Sequence, residues 1–184
     1  MTELASSRQL RAGLFRWALF LVPAILLLGM LSARIAGSGP DNPWYAALAK
    51  PDVYPPDIAF ATVWSALYII MGVAVAMVVV ARGASGRTLA IGAFVVQLVL
   101  NLAWLPLFFA AHQITAALAL LVVLDLAVVF TIVVFKAVRP VAAFLLVPYL
   151  AWILFATYLN WEILVANPGY DGQDVSGAAA RIEF

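Results

Sequence analysis

Residues Trp44 to Gly72 read WYAALAKPDVYPPDIAFATVWSALYIIMG. The first half is a polar loop interrupted by Pro51, Pro55 and Pro56, and the second is an apolar run carrying Phe60, Trp64 and Tyr68 at successive i,i+4 positions, with Met71 continuing the line. Side chains four apart share one helical face, so the run predicts a helix with an aromatic stripe. Proline fixes φ and lacks an N–H, so the preceding segment reads as a stiff connection rather than more helix. What the stripe faces depends on the medium around the chain.

Composition decides the medium. Of 184 residues, 66% are hydrophobic and 10% charged, and the mean hydropathy is +1.08, well outside the range of water-soluble domains. The chain reads as an integral membrane protein. Cys is absent and His occurs once, which excludes disulfides, thiolate sites and imidazole-rich metal centres. A net charge of +1 gives no field that would select nucleic acid as a partner. Arg8, Arg11 and Arg16 precede an apolar run from Trp17 to Met30 as in a secretory signal, but SARIAG is a poor cleavage site, so this segment reads as a retained helix.

Five apolar segments approach the roughly 20 residues that cross a hydrocarbon core. They are placed at about 14–36, 59–81, 88–111, 113–135 and 141–165, separated by a loop over 37–58, the RGASGR turn, the Ala-His-Gln link and the Lys136–Pro140 corner. Short connections make successive helices antiparallel neighbours, so the expected fold is an all-α bundle of five transmembrane helices spanning 1–166, followed by a flexible tail over 167–184. Arg8, Arg11, Arg16, Arg82, Arg87, Lys136 and Arg139 fall on one side, against Arg34, Lys50 and Arg181 on the other. The retention of cationic loops in the cytoplasm then puts the N-terminus inside and the proline-rich loop outside, for a bacterial-type cell membrane.

Several polar groups stand where hydrocarbon penalises them. Asp125 lies mid-span in LLVVLDLAVVF, where an ionised carboxylate costs about 2.5–3.5 kcal/mol on insertion scales. It is expected to face the interior as a ligand or proton site, or as a neutral acid bonded to a neighbouring helix. Gln97 and Asn101 share a face with Trp104 and Phe108, and Tyr149, Trp152, Ala156 and Asn160 share another. Amides glue helices together in bilayers, and large rings fill cores. Three aromatic stripes with occasional amides also make up a mostly apolar ligand pocket between helices, because an interfacial aromatic belt does not account for rings two turns deep. His112 reads as a solvated turn residue, Gly83, Ser85 and Gly86 as a turn with no phosphate role, and Ser65 lacks a neighbouring base. Gly72 with Ala76, and Gly92 with Thr88, are small-residue pairs that permit close helix approach or dimerisation.

Trp44-Tyr45, Leu48, Lys50-Pro51, Pro55-Pro56, Phe60, Val63-Trp64, Leu67-Tyr68 and Met71-Gly72 together resemble the signature of the TspO/translocator protein family, also called tryptophan-rich sensory proteins or peripheral benzodiazepine receptors. Gln97, Leu100-Asn101, Trp104, Phe108-Phe109, Pro148-Tyr149 and Leu159-Asn160 extend the resemblance over about residues 44–161. It implies a five-helix bundle, often a homodimer. It also implies a cavity under the first loop that binds tetrapyrroles such as protoporphyrin IX and, in some members, cholesterol or benzodiazepine-site ligands. The porphyrin is a ligand there, and no cofactor is required.

Regulation of tetrapyrrole levels or stress responses, tetrapyrrole or sterol transport, and light- and oxygen-dependent porphyrin breakdown are the implied roles. By position, the lining would be Trp44, Phe60, Trp64, Tyr68, Trp104, Phe108, Tyr149 and Trp152, with Asn101 and Asn160 as polar contacts and Lys50 meeting a propionate. Trp64 is the residue that would carry any photochemistry. The sequence departs from the pattern at Ile58, Ala61-Thr62 and Leu105-Pro106; Ile58, where the family has Trp, makes breakdown a weaker expectation than binding.

Overall fold

A computed structural model describes residues 7–173 of the chain. It contains α1 (Ser7–Ala36), a short α2 (Pro43–Ala47), α3 (Asp57–Val79), α4 (Arg87–Leu105) continuing into a π-helical turn (Pro106–Ala110), α5 (Ile114–Val138), α6 (Pro140–Leu145) and α7 (Val147–Ala166). Among the described residues there is no strand. Five stretches of the described residues are long and apolar enough to span a membrane: Arg11–Ala36, Asp57–Val79, Arg87–Ala110, Ile114–Val138 and Pro140–Ala166. The exterior is apolar as well, with Phe15, Leu19, Phe20, Val99, Leu126, Val133 and Phe144 all exposed, the arrangement that a lipid solvent favours and water penalises. The chain is an integral membrane protein.

Breakers set the boundaries. Gly86 takes the left-handed conformation at φ 78 immediately before α4, which costs glycine little. Pro56 precedes α3, with Asp57 in its first turn, where a negative charge suits the helix dipole. Arg139 is extended between α5 and α6, so Lys136 belongs to α5 and the corner is narrower than the expected 136–140. The expected fifth span is interrupted at Leu146, where Pro148 cannot continue the backbone ladder. The loop 37–58 is also more ordered than a plain connection: Asn42 caps α2 by accepting from the Tyr45 N–H at 3.0 Å.

Close packing of α1 on α3 uses glycine. A Cβ on Gly72 would lie 2.7 Å from Val22 Cγ2 and 2.8 Å from Val22 Cα, and one on Gly29 would collide with the Tyr68 ring. Gly72 therefore serves an approach inside the bundle. Gly92, by contrast, has nothing within 4 Å of such a Cβ and opens on an outward apolar groove of about 410 Å³ with Thr88, Leu89, Val96 and Phe130. At the end of α4, Pro106 has no N–H to give the Leu102 carbonyl, and Ser32 Oγ of α1 donates to that oxygen at 2.7 Å. A proline break is thus satisfied across the bundle.

The flexible tail expected from Asn167 onward is corrected for residues 167–173. Asn167 is only 3% exposed, and turn bonds run from Tyr170 N–H to Asn167 O at 3.1 Å and from Gly172 N–H to His112 O at 2.8 Å. The segment has backbone partners both within itself and in the α4–α5 turn. Residues 174–184, including Arg181, and the side chain of Arg8 lie outside the described residues.

Candidate ligand site between α3, α4 and α7

Helices α1 and α3, and likewise α4 and α5, pack together along their lengths, whereas α3 barely touches α7 and the backbones of α4 and α7 hardly meet. Long side chains bridge the space among these three. Tyr68 of α3 donates its hydroxyl to Asn101 Oδ1 of α4 at 3.0 Å. Tyr149 of α7 donates to Gln97 Oε1 at 2.9 Å. Trp104 Nε1 donates to Asn160 Oδ1 at 3.3 Å, and Asn160 Nδ2 donates onward to the Ile114 carbonyl of α5 at 3.0 Å. Each amide sits more than one turn inside its membrane-spanning helix, where an unmade bond is costly, so these pairings hold the three helices at a set spacing.

Rings fill what the amides frame. Trp64 lies 5.4 Å from Tyr68 and 6.4 Å from Tyr149 by ring centroids, and Trp104 stacks on Phe108 at 5.2 Å. Phe60 meets Trp152 edge-on at 5.8 Å. Tyr68, Asn101, Phe108, Tyr149 and Asn160 are buried, while Phe60, Trp64, Trp104 and Trp152 are partly accessible. Among the described residues, two donors in this region have no partner although both are enclosed: Gln97 Nε2 and Trp152 Nε1. The space thus presents partly accessible rings, filled acceptors and two vacant donors, a donor set suited to a flat apolar molecule carrying acceptor atoms.

The first loop covers one end of this space. Trp44 is 2% exposed, stacked on His112 at 4.6 Å and edge-on to Phe108 at 5.4 Å. It reaches the site only through Phe108, so the loop's direct contact with the stripe comes from elsewhere. Tyr54 stacks on Phe60 at 5.1 Å, and its hydroxyl is hydrogen-bonded to that of Tyr45. Burial, followed by the mutual contact and nearby Asp57, pushes the Tyr45 phenol above its ordinary value, and burial does the same for Tyr54. Both remain protonated, and the pair is a neutral hydroxyl bridge. Lys50 folds back: its Nζ lies 4.3 Å above the Tyr45 ring and donates to the Tyr45 carbonyl at 3.2 Å. His112, expected to be solvated, is partly buried under Trp44 in a left-handed turn at φ 56.

Tyr45, Tyr54 and Phe109 belong to the site region, yet sequence periodicity did not select them. Tyr45 and Tyr54 lie in a loop with no helical repeat, and Phe109 lies where the π turn shifts the register. Asp125 does face the interior, but on another seam. It is 9% exposed and lies between α5 and α7, where Thr157 Oγ1 donates to its Oδ2 at 2.9 Å and Oδ1 has no partner.

Comparison with known proteins bears on the same residues. The model of the TspO/MBR family matches residues 19–166, a span covering every element of the site. A tryptophan-rich protein TspO of Chlorobaculum tepidum is 40% identical over 150 residues, covering 78% of this chain and 94% of that protein. The translocator protein of Sus scrofa is 41% identical over 155 residues, covering 83% and 89% respectively. A tryptophan-rich sensory protein of Cereibacter sphaeroides is 37% identical over 151 residues, covering 82% and 92%. With most of the first membrane-spanning helix, the four that follow and the aromatic core inside the matched region, the chain belongs to the TspO/MBR family.

Proposed function

We propose that this chain is a membrane receptor or sensor that binds tetrapyrroles, protoporphyrin IX and related haem precursors, between α3, α4 and α7, with sterols and benzodiazepine-site compounds as further ligands. The observation that carries the reading is that α7 stands apart from α3 and α4 and is bridged to them by rings and amides, leaving Gln97 Nε2 and Trp152 Nε1 as enclosed donors without partners among the described residues. A planar macrocycle would slide between the Trp64, Trp104 and Tyr149 faces, where stacking is shape-tolerant, and its ring or carboxylate acceptors would take the free donors. Lys50 would leave the Tyr45 carbonyl to meet a propionate at the water boundary, a charge-assisted bond stronger than the one it gives up.

Titration of purified protein with protoporphyrin IX, followed by tryptophan fluorescence, tests the reading. Saturable quenching is expected, weakened in the Trp64→Phe/Trp104→Phe double variant. No quenching, or quenching identical in the double variant, overturns it. The reading includes a homodimer, for which the open groove at Gly92 is the suitable surface; light scattering in detergent checks the mass. Transport of a tetrapyrrole or sterol is a second reading favoured by one observation, the unpartnered Asp125 oxygen in mid-membrane. Uptake into sealed vesicles that survives loss of a proton gradient and collapses in Asp125→Asn would favour it.

A further inference from the structure

The residues after α7 tie the covering loop to the rest of the bundle. Asn167 pairs in both directions with the backbone of Ala49: the Ala49 N–H donates to Oδ1 at 2.8 Å, and Nδ2 donates to the Ala49 carbonyl at 2.9 Å. Nδ2 also donates to Ile163 O at 2.8 Å, which fixes the amide to α7. Three residues on, the Tyr170 carbonyl accepts from Trp44 Nε1 at 3.4 Å. The Asp171 carboxylate then takes the N–H groups of Ile114 and Thr115 at 2.6 and 3.2 Å and the Thr115 hydroxyl at 2.5 Å.

This fills the open N–H end of α5 from a distant part of the chain, in the manner of a helix cap. Gly172 sits at φ +71, a left-handed conformation that glycine adopts without strain, and this lets its N–H reach His112 O at 2.8 Å. The strap therefore crosses from α7 over the loop at Ala49 and Trp44 to the α4–α5 turn. The loop it pins includes Tyr54, which lies on Phe60 at the end of the site.

We infer that residues 167–172 form a latch, with Asn167 and Asp171 as positioning residues that hold the loop closed over the α3/α4/α7 site and set the rate at which a bound ligand leaves. This rests on the ligand reading above for its consequence, though the latch itself is geometric. Asn167 is suited to the task because its amide donates from one atom and accepts at another in a single plane, so one side chain holds Ala49 as a neighbouring strand would. Asp171 anchors the far end to α5, a membrane-spanning helix that does not move with the loop.

The test uses the full chain in lipid nanodiscs loaded with protoporphyrin IX, with excess serum albumin as a trap and porphyrin fluorescence as the signal. Asn167→Ala and Asp171→Asn are compared with wild type and with Val141→Ala, whose side chain is exposed on α6 away from the site and the strap. Loss of the paired bonds is expected to speed dissociation about tenfold, with thermal midpoints close to wild type and Val141→Ala unaltered. Hydrogen exchange of residues 44–50 in wild type provides a measurement that needs no variant, and slow exchange is expected. Porphyrin release at the wild-type rate in both variants overturns the latch, as does exchange of 44–50 at the rate of an unstructured peptide. Failure of the wild type to bind porphyrin sinks the ligand reading instead. In that case protection of 44–50 that is lost in Asn167→Ala still supports the latch.

Discussion

The bond between Tyr149 and Gln97 allows the energetics of the site to be separated from its binding role. Tyr149 has no exposure and Gln97 only 1%. The tyrosine hydroxyl donates to Gln97 Oε1, and Gln97 Nε2 is already unpartnered. Tyr149→Phe thus strands the whole amide. An interhelical bond in a bilayer is worth about 0.6 kcal/mol on average and at most about 1.7, while a stranded buried polar group costs about 1–3 kcal/mol, so a loss of about 1–2 kcal/mol is expected. Gln97→Leu strands the hydroxyl instead, offset in part because leucine suits the interior, and should cost about 1 kcal/mol.

The double variant removes both partners and leaves nothing stranded. Its stability should lie near that of wild type, a coupling of about 2–3 kcal/mol between the two sites. Equilibrium unfolding in mixed micelles of rising SDS fraction, read by tryptophan fluorescence, measures all four proteins. Additivity within about 0.5 kcal/mol, or a silent Tyr149→Phe, would refute the reasoning. The folded double variant then serves a second purpose: porphyrin affinity should fall in it, since it lacks the enclosed Nε2 donor that the ligand reading assigns to an acceptor atom.

Other perturbations follow from the same geometry. Gly72→Ala should destabilise the bundle by about 1 kcal/mol net in the same unfolding assay: overpacking against Val22 costs about 1–3 kcal/mol, against about 1 kcal/mol of helix propensity gained. Any stabilisation would show that α1 yields freely. Ser32→Ala leaves the Leu102 carbonyl without its donor and should cost about 0.6–1.7 kcal/mol; no change would show that water replaces the hydroxyl there.

For Asp171, burial acts to raise its pKa, but the Thr115 hydroxyl and the Thr115 and Ile114 N–H groups outweigh it and hold the carboxyl below its ordinary 3.8. A depressed folded value means the stabilisation is complete above the ordinary value and is lost as pH falls through the lower one. Exchange protection of residues 167–173 should accordingly be flat from pH 7 to about 5 and collapse only below about 4, and a loss centred near neutrality would contradict the assignment.

How much of this was legible beforehand follows from the range over which each signal acts. The five spans were readable because membrane thickness and the glycines and prolines between segments act locally, and each leaves its mark within about 20 residues. The stripe Phe60, Trp64, Tyr68 was readable for the same reason, since four residues make about one turn. Which groups the stripes engage was not readable. Gln97 meets Tyr149 across a separation of 52 residues and Trp104 meets Asn160 across 56, and both pairings depend on the rotation and depth of each helix, which no periodicity encodes. Trp44 has the composition of a cavity lid and yet packs onto His112, because α2 turns it toward the α4–α5 link.

The segment after α7 marks the limit most clearly. Read alone, NPGYDGQ is polar, glycine-rich and short, the composition of a frayed end. Its order comes from Ala49, 118 residues earlier, and from the backbone N–H groups of Ile114 and Thr115. The sequence by itself determined a bundle of five membrane helices with aromatic faces, because hydrocarbon length and helical period are properties of single segments. The tertiary structure alone decided which amides close on which rings and that the chain after α7 straps down its own loop, because those bonds exist only once distant segments share one end of the bundle.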